Sequence, residues 1–386
     1  MSPSIFRSGY NIYMRLKILL FSFIIIAAGG MASSDTFTPD TVDSDTVDAH
    51  TEAPDTVVPD TVAIVAVGDI MMGTIIPDGK HLPPNNDCSP QLKELISILS
   101  GGDITFGNLE GVLTDVKTGA KKCNDPSVCY TFGMPTHFAN CLADAGFNLL
   151  SIANNHVGDF GEQGRKSTVE TLKKSGIRFA GLLDYVITEQ FIINGIKYGF
   201  CAFAPNTGAL NIKDIPAAEK IVRELAETSD VVIVSFHGGG EGKAYRNITR
   251  KTETFLGEDR GNVYEFAHRM IDAGADLLLG HGPHITRAVE VYKGRFIAYS
   301  MGNFCTYDRI NINGENGLAP VFKIYTDNKG EFLKAEIYPV YQEKFQPVRI
   351  DPQKRVIKII QELTKADFPE MDSVIEITDD GLILLK

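Results

Sequence analysis

The segment 62-VAIVAVGD-69 begins a regular alternation of apolar and amphipathic runs, and this alternation decides the fold. A continuous apolar run of this length is typical of a strand that is covered on both faces. The following runs alternate in the same way: QLKELISILS, DITFGNLE, HFANCLADAGF, LLSIANNH and KSTVETLKKSG. A second series follows them: KYGFCAFA, VVIVSFHG, ADLLLGHGPH, RFIAYSMGNF and APVFKIYT. Strands that alternate with helices predict an α/β fold in which helices cover a sheet.

Length and charge exclude some classes of protein. The chain has 386 residues and is 44% hydrophobic, which is enough for one large core or two modest cores. Its formal net charge is -12 and its pI is about 5.2. An acidic protein does not attract nucleic acid or an anionic membrane through its overall field, so we expect no nucleic-acid partner. Any binding of an anion must then be local.

The two N-terminal segments predict an exported protein. Basic residues precede the apolar run Leu19–Ile26, and small residues follow it, so residues 1–32 are predicted to be a signal peptide. An uncleaved membrane anchor is the alternative, although the run is short for a bilayer span. Residues 33–61 repeat Asp-Thr-Val four times among prolines and acids and predict a disordered linker. We therefore expect a periplasmic, extracellular or envelope location, with a main domain over 62–345 and a C-terminal extension over 346–386 that packs on it.

The cysteines leave the disulfide pairing open. Cys141 lies in a helical pattern and Cys201 in a strand pattern, where buried thiols are common, so both are interpreted as packing residues. Cys123 and Cys129 flank the turn-rich NDPSV and could form a short-range disulfide in an oxidising compartment. Cys88 is a competing partner for either of them.

Polar side chains follow five of the predicted strands. In open α/β sheets, ligands bind beyond the carboxyl ends of strands. Each of these residues alone is a weak signal, because Asp69 could cap a helix, Glu110 could lie in a solvated loop and His237 could be an ordinary buried histidine. Together they form a mixed oxygen and nitrogen set that suits Mn, Zn or Fe. The residues are Asp69, Asn108 and Glu110, Asn154 to His156, His237, His281 and His284.

The motifs GDIMMG, NLEGVLT, ANNHVGDFG, HGGGEG, GHGPH and YSMGNF resemble those of the CapA family of poly-γ-glutamate capsule synthesis proteins. The resemblance extends from about Val62 to about Val340. This family is related in fold to the calcineurin-like metallophosphoesterases. The resemblance implies a four-layer αββα sandwich, with two sheets back to back and a site for one or two divalent metal ions on its rim.

The resemblance also implies roles for single residues. Asp69 takes the opening metal-ligand position and Glu110 the bridging position. The second metal would be bound by Asn155, His237 and His281, and the first by His284. His156 corresponds to the histidine that protonates the leaving group, so Asn155 and His156 are the candidate catalytic pair.

Other residues near these motifs receive structural interpretations. The side chain of Asn154 is expected to close the turn by hydrogen bonds. Asp159 is expected to support a neighbour or cap a helix rather than bind metal. Met71 stands where related phosphoesterases usually have a histidine, and a thioether is a poor ligand for a hard ion, so a first metal is in doubt. His268, in the helical pattern EFAHRMIDAG, is expected to lie on a solvated face.

A basic stretch follows the His237 loop. Lys243, Arg246, Arg250, Lys251 and Arg260 lie there, and such a cluster beside a metal site could hold a phosphate or an anionic polymer. An ordinary solvated loop is the alternative. The candidate substrate-binding residues are Glu241, Lys243, Arg246 and Asn303.

Two functions of different class follow from these patterns. The first is an exported metal-dependent hydrolase that attacks a phosphoester or an amide with metal-activated water. The second is a non-catalytic export or scaffold component that binds poly-γ-glutamate or a similar polyanion. Membrane-bound capsule-synthesis proteins are expected partners in both cases.

Overall fold

The computed structural model describes residues 60–122 and 130–386. The predicted signal peptide (1–32) lies outside these residues, as does the predicted linker (33–61) except for its last two positions. Cys123 and Cys129 also lie outside them. Among the described residues, no helix combines the length and apolar character that a bilayer crossing requires.

Strands and helices alternate over residues 61–281, as the sequence patterns predict, whereas the strands between Leu277 and Ile350 follow one another without an α-helix. The strands are β1 Thr61–Met71, β2 Ile104–Leu109, β3 Val112–Leu113, β4 Gly133–Met134, β5 Leu149–Ser151, β6 Arg178–Ala180, β7 Thr188–Ile193, β8 Ile196–Ala204, β9 Leu210–Asn211, β10 Val231–His237, β11 Thr254–Phe255, β12 Glu258–Asp259, β13 Leu277–His281, β14 Val289–Tyr292, β15 Arg295–Ala298, β16 Asn303–Thr306, β17 Leu318–Asp327, β18 Phe332–Tyr341, β19 Arg349–Ile350, β20 Ile375–Ile377 and β21 Leu382–Leu385. The α-helices are α1 Ser89–Leu92, α2 Ile96–Leu99, α3 Phe138–Asp144, α4 Gly161–Lys174, α5 Ile215–Ala226, α6 Val263–Ala273 and α7 Arg355–Asp367.

Two large sheets organise these strands. The first has the order β20-β21-β18-β17-β1-β2-β5-β6, and the second has the order β14-β15-β13-β10-β8-β7. β1, β2, β5 and β6 run parallel in the first sheet, as do β8, β10, β13 and β15 in the second. The carboxyl ends of the parallel strands in each sheet therefore share one edge.

The two sheets pack face to face. Along β1, Ile64 and Ala66 belong to the core that is shared with the second sheet, whereas Val65 and Val67 belong to the core beneath α1 to α4. The rings of Phe106 on β2 and Phe200 on β8 meet edge to face, with centroids 5.8 Å apart. Helices α5 and α6 cover the outer face of the second sheet with apolar residues. The predicted four-layer αββα sandwich is confirmed.

The run QLKELISILS is not one helix. It forms two short helices, α1 and α2, joined by the 3₁₀ turn Lys93–Leu95. Leu92 and Leu95 are both buried and lie three residues apart, a spacing that matches the three residues per turn of a 3₁₀ helix. The apolar pattern of this run therefore predicts which face is buried, but it does not predict the 3₁₀ turn between two short helices.

The C-terminal residues contribute to the main core. Four apolar side chains of α7 are buried, and the helix contacts β14, β17 and β18. β19 and β21 add to the first sheet by pairing with β18. The segment 346–386 therefore shares the sheet and the core of the preceding residues.

One disulfide joins two helical elements, and it corrects the interpretation of Cys141. Cys88 bonds to Cys141, with their Cα atoms 6.1 Å apart. Cys88 precedes α1 and Cys141 lies on α3, and both helices cover the same face of the first sheet, which brings the two thiols together. Cys201 is a buried free thiol, as predicted. The helical pattern around Cys141 could not reveal a partner 53 residues away.

We expect this disulfide to contribute strongly to stability. A crosslink over 53 residues lowers the entropy of the unfolded chain, which corresponds to about 4 kcal/mol of unfolding free energy. Urea unfolding with and without reductant measures the difference. The double variant Cys88→Ser with Cys141→Ser is the control, since reductant should not affect it. An unchanged midpoint for the reduced wild-type protein would contradict the prediction.

Candidate metal centre

The predicted site residues lie where the strand edges of the two sheets meet. The strands extend further than the sequence patterns indicated, so Asp69 lies inside β1 rather than after it. Asp69 pairs with Asn108 of β2 on one side and with Asn303 of β16 on the other, and the register is irregular at both pairings. β2 and β16 therefore flank Asp69 and supply backbone partners to the last residues of β1.

Asp69 connects the two sheets. Its Oδ1 accepts a hydrogen bond from Asn108 Nδ2 at 2.9 Å and lies 3.2 Å from Nδ1 of His281. Its Oδ2 lies 3.1 Å from Nδ1 of His284. Asn108 Nδ2 is in turn 3.5 Å from Nδ1 of His237. Residues from distant parts of the chain therefore converge on one small volume.

Three side chains form the tightest group. Asp69, Glu110 and His284 each offer a ligand atom, and these atoms lie within 4.8 Å of one another. His284 Nε2 is 3.4 Å from Glu110 Oε1. His284 has a backbone φ of 54°, in the left-handed region, which is unfavourable for residues other than glycine. Contacts with neighbouring residues must therefore hold it in this conformation.

Asn303, which the sequence predicts to bind substrate, provides part of that support. It is fully buried, and its Nδ2 donates to the backbone oxygen of His284 at 3.2 Å and to that of Asn316 at 3.0 Å. Its Oδ1 lies 3.0 Å from His284 Nδ1. Asn303 therefore positions His284. The strand pattern YSMGNF could not show this, because β16 adds beside β1 only in the folded sheet.

Buried atoms without hydrogen bonds test whether this site fits a metal. Leaving a buried polar atom unpaired costs about 1–3 kcal/mol, so an unpaired cluster requires an explanation. The unpaired atoms of the predicted ligand residues are all of metal-binding types, so divalent cations would satisfy atoms of this kind. The residues present therefore fit such an ion. Among the predicted ligand residues, the buried atoms without a hydrogen-bond partner in the described part of the chain are Asp69 Oδ2, Glu110 Oε1 and Oε2, Asn155 Oδ1, His237 Nε2 and His281 Nε2.

The electrostatics of the site point the same way. Burial, together with the nearby Asp69 carboxylate, raises the pKa of Glu110 well above its usual value, although His284 opposes the shift. Burial also opposes ionisation of Asp69, but the adjacent imidazoles of His281 and His284 outweigh it and lower the pKa of Asp69. Burial disfavours the charged form of His284, yet the carboxylates of Glu110 and Asp69 raise its pKa to about 10. A metal cation would neutralise the charge of the Asp69 and Glu110 carboxylates in the same way as a proton does.

The pKa of His237 is shifted in the opposite direction from that of His284. It is buried at the end of β10, and its burial lowers the pKa of the imidazole well below the usual value. A neutral imidazole is the form that binds metal.

His156 is oriented by its neighbours. Its Nδ1 lies 2.8 Å from Oδ2 of Asp159, and its ring packs on Phe132 with centroids 4.1 Å apart. Its Nε2 faces the site, 4.0 Å from Glu110 Oε1. Burial lowers the pKa of His156, while Asp159 opposes the shift. Asp159 also accepts a hydrogen bond from the backbone N–H of Phe132 and pairs with Lys121 at 2.6 Å, so it supports His156 as the sequence predicts.

Two asparagines hold the turn around His156. Asn154 donates to the backbone oxygen of Leu109 at 2.8 Å and accepts from the backbone N–H of His156 at 3.0 Å, which confirms that its side chain closes the turn. Asn154 Nδ2 also contacts Asn108 Oδ1 at 3.2 Å. The sequence places Asn108 among the polar residues at the strand ends but does not predict these contacts.

Met71 supplies no ligand of the preferred kind. It is fully buried and forms a small apolar cluster with Phe132 and Ile310. Its cluster adjoins His156, because Phe132 packs on that ring. Met71, which stands where related phosphoesterases usually have a histidine, therefore forms part of an apolar surface beside His156.

Ion pairs neutralise much of the basic stretch, so the described contacts favour the ordinary loop over a free cationic cluster, the two interpretations that the sequence leaves open. Lys243 and Arg246 lie 3.4 and 3.5 Å from the same carboxylate oxygen of Glu315. Arg260 lies 3.2 Å from Glu241, which is one of the predicted substrate-binding residues. Arg250 pairs with a carboxylate of the C-terminal segment, Glu370, at 2.8 Å. Acidic neighbours that are distant in sequence explain the difference.

His268 does not lie on a solvated face. Its Nε2 is 3.0 Å from the buried carboxylate of Glu290, and its ring lies against those of Tyr264 and Tyr292, with centroids 4.1 and 3.8 Å away. The amphipathic pattern of α6 placed this side chain at the margin of the apolar face, but it could not show that β14 covers it.

The fold and the ligand set define a metallophosphoesterase-like protein with a candidate metal centre on the rim of a four-layer sandwich. A family model described as bacterial capsule synthesis protein PGA_cap matches residues 63–308. The chain belongs to this family, which confirms the resemblance to CapA proteins.

Individual relatives are similar to this chain at moderate identity. The capsule biosynthesis protein CapA of Bacillus anthracis is 28% identical over 257 residues, which cover 62% of this chain and 58% of that protein. The PGA biosynthesis protein CapA of Bacillus subtilis is 26% identical over 317 residues, with 78% and 77% covered. The chain thus spans less than two thirds of the Bacillus anthracis relative. A crystal structure described as a novel phosphatase from Mycoplasma pneumoniae is 14% identical, with a TM-score of 0.45 over 76% of this chain and 95% of that chain.

Proposed function

We propose that this protein is an exported metal-dependent hydrolase that acts in the synthesis of a capsule polyanion, poly-γ-glutamate or a similar polymer. The observation that carries the proposal is the cluster of buried, unpaired ligand atoms on the rim, next to an imidazole that Asp159 orients. The role in capsule synthesis is proposed because the chain belongs to the PGA_cap family. The substrate is an anionic polymer or a phosphoester.

The metal-binding residues would hold one or two ions of Mn, Zn or Fe. When bound, such an ion lowers the pKa of a coordinated water and polarises the bond to be cleaved. Glu110 would offer both of its oxygens to the metal, because both are buried without a hydrogen-bond partner among the described residues. The ligand residues are Asp69, Glu110, Asn155, His237, His281 and His284.

His156 would act on the leaving group. Its Nδ1 donates to Asp159, which stabilises an imidazolium and leaves Nε2 directed at the site. A proton at Nε2 can then be transferred to the leaving oxygen or nitrogen. Asn155 has a different part, because its buried Oδ1 is available to a metal.

A non-catalytic role as a polymer-binding or export scaffold is the second candidate. The buried apolar position of Met71 favours it, since one histidine ligand fewer weakens a two-metal site. In that role the same rim would bind polymer without cleaving it.

Export is part of the proposal and is supported by the disulfide. Structural disulfides persist in oxidising compartments and are rare in the cytosol. The Cys88–Cys141 bond is therefore consistent with the signal peptide that the sequence predicts. Membrane-bound capsule-synthesis proteins are the proposed partners.

Turnover by metal-loaded protein tests the proposal. The full chain is equilibrated with Mn, Zn or Fe and assayed on bis-p-nitrophenyl phosphate and on γ-glutamyl oligomers, with Glu110→Gln as the matched variant. We expect turnover that falls by about a hundredfold or more in the variant, since a metal ligand is lost. Equal rates in both proteins would contradict a hydrolase and favour the scaffold.

A further inference from the structure

Arg165, on α4, has no counter-ion among the residues that the structure describes. Its side chain is half-buried, and its Nε is buried with no hydrogen-bond partner in residues 60–122 and 130–386. Among the described residues it takes part in no ion pair, hydrogen bond or ring contact, whereas Arg246, Arg250 and Arg260 each have a carboxylate partner. A guanidinium offers five donors, and leaving them unused in a partly desolvated place is unfavourable.

The guanidinium lies between two loops of the rim. A β-carbon placed on Gly158 would be 3.8 Å from Arg165 Nη1, and one placed on Gly208 would be 3.8 Å from the same atom. Gly158 is two residues after His156 in the loop that follows β5. Gly208 is in the loop that follows β8. Arg165 therefore lies beside the candidate catalytic loop, where the two sheets meet.

The loop after β8 belongs to the same edge as the metal centre. Phe203 of β8 pairs with Phe236 of β10 in the sheet register, so β8 ends beside His237. A β-carbon on Gly181 would lie 2.6 Å from Ala153 Cβ and 3.1 Å from Ala202 Cβ, which shows how closely the ends of β5 and β8 approach.

Asn206 provides a second unused group in this loop. It is two residues past the end of β8, and its Oδ1 is buried without a hydrogen-bond partner in the described part of the chain. The amide oxygen is an acceptor and requires an N–H or O–H donor. A cationic donor and a neutral acceptor, both without partners among the described residues, therefore belong to the rim loops: Arg165 lies against Gly208, and Asn206 is two residues before it.

We propose that Arg165 and Asn206 form a subsite for a carboxylate-bearing, amide-linked chain, such as γ-linked glutamate. Arg165 would bind the free carboxylate, for which a guanidinium has matching geometry. Asn206 Oδ1 would accept the amide N–H. A phosphoester chain offers anionic oxygens but no amide N–H, so this pair selects the amide-linked polymer. The inference rests on the proposed function, because it names the substrate class of the same rim.

Binding of a γ-glutamyl decamer to the metal-loaded full chain, measured by calorimetry, tests the subsite. We expect Arg165→Gln to raise Kd roughly tenfold to a hundredfold, the effect of losing charge-assisted hydrogen bonds. Asn206→Ala should raise Kd about threefold to tenfold. Arg165→Lys should restore part of the affinity. Arg223→Gln is the control, since Arg223 pairs with Glu219 on α5. Metal content should stay unchanged in all variants.

The outcomes separate this proposal from the hydrolase. An unchanged Kd in both Arg165→Gln and Asn206→Ala overturns the subsite, even if the wild-type protein turns over substrate. A raised Kd supports the subsite, even if no turnover is found. Turnover of bis-p-nitrophenyl phosphate, which has no carboxylate, should change less than about twofold in Arg165→Gln. An equally large rise in its KM would show a general anion site and overturn the assignment. If Arg165→Gln fails to fold, Asn206→Ala decides the question.

Discussion

His156→Ala is expected to lower turnover by about two to four decades while the metal content stays unchanged. The ring is held between Asp159 and Phe132 with Nε2 directed at the site, and its removal deletes a proton donor but no ligand. Kinetics with the best substrate and elemental analysis of the same preparation give the two quantities.

Asn155→Ala is the matched comparison. It removes the buried Oδ1, so metal occupancy should fall first and activity with it, with partial rescue by excess metal. Equal metal loss in both variants would show that His156 is a ligand or a structural support. If turnover is unaffected in both but polymer binding weakens, the scaffold role is the correct one.

The second large effect is expected for stability. Arg287 is fully buried and pairs with Glu253 through two hydrogen bonds, at 2.7 and 3.1 Å. Glu253→Ala leaves this charge buried without its partner, and we expect the free energy of unfolding to fall by about 3–5 kcal/mol. The pair also holds the loop after His237, because Arg287 donates to the backbone oxygen of Gly240 and Glu253 accepts from its N–H.

Chemical denaturation measures this loss. Glu224→Gln is the control, since Glu224 pairs with Lys220 on the exposed surface of α5 and such pairs contribute only about 0–1 kcal/mol. A double replacement of Arg287 and Glu253 by apolar residues of similar size should recover most of the stability. A loss of less than about 1 kcal/mol in Glu253→Ala would contradict the prediction.

Much of the fold follows from local patterns. The apolar runs predicted the central strands, and their polar ends brought Asp69, Glu110 and His281 to one edge, because parallel strands share a direction. Patterns of this kind report which face is buried and where a strand ends. They do so without reference to distant residues.

The features that the sequence missed depend on distant residues. The Cys88–Cys141 disulfide, the covering of His268 by β14 and the ion pairs that neutralise Lys243 and Arg246 each join segments far apart in the chain. Asn303 became a support for His284 only because β16 pairs beside β1. Such contacts are set by tertiary packing, which single-sequence patterns do not encode.

The metal content of the purified full chain tests the central claim most directly. After equilibrium dialysis against Mn, Zn or Fe, elemental analysis should find about one or two ions per chain, and Asp69→Asn and Glu110→Gln should retain less than about a tenth of that amount. The unpaired oxygens and nitrogens of the rim would then be explained as ligands. Equal metal content in the wild-type protein and both variants, or none in the wild-type protein under all three conditions, would contradict the account.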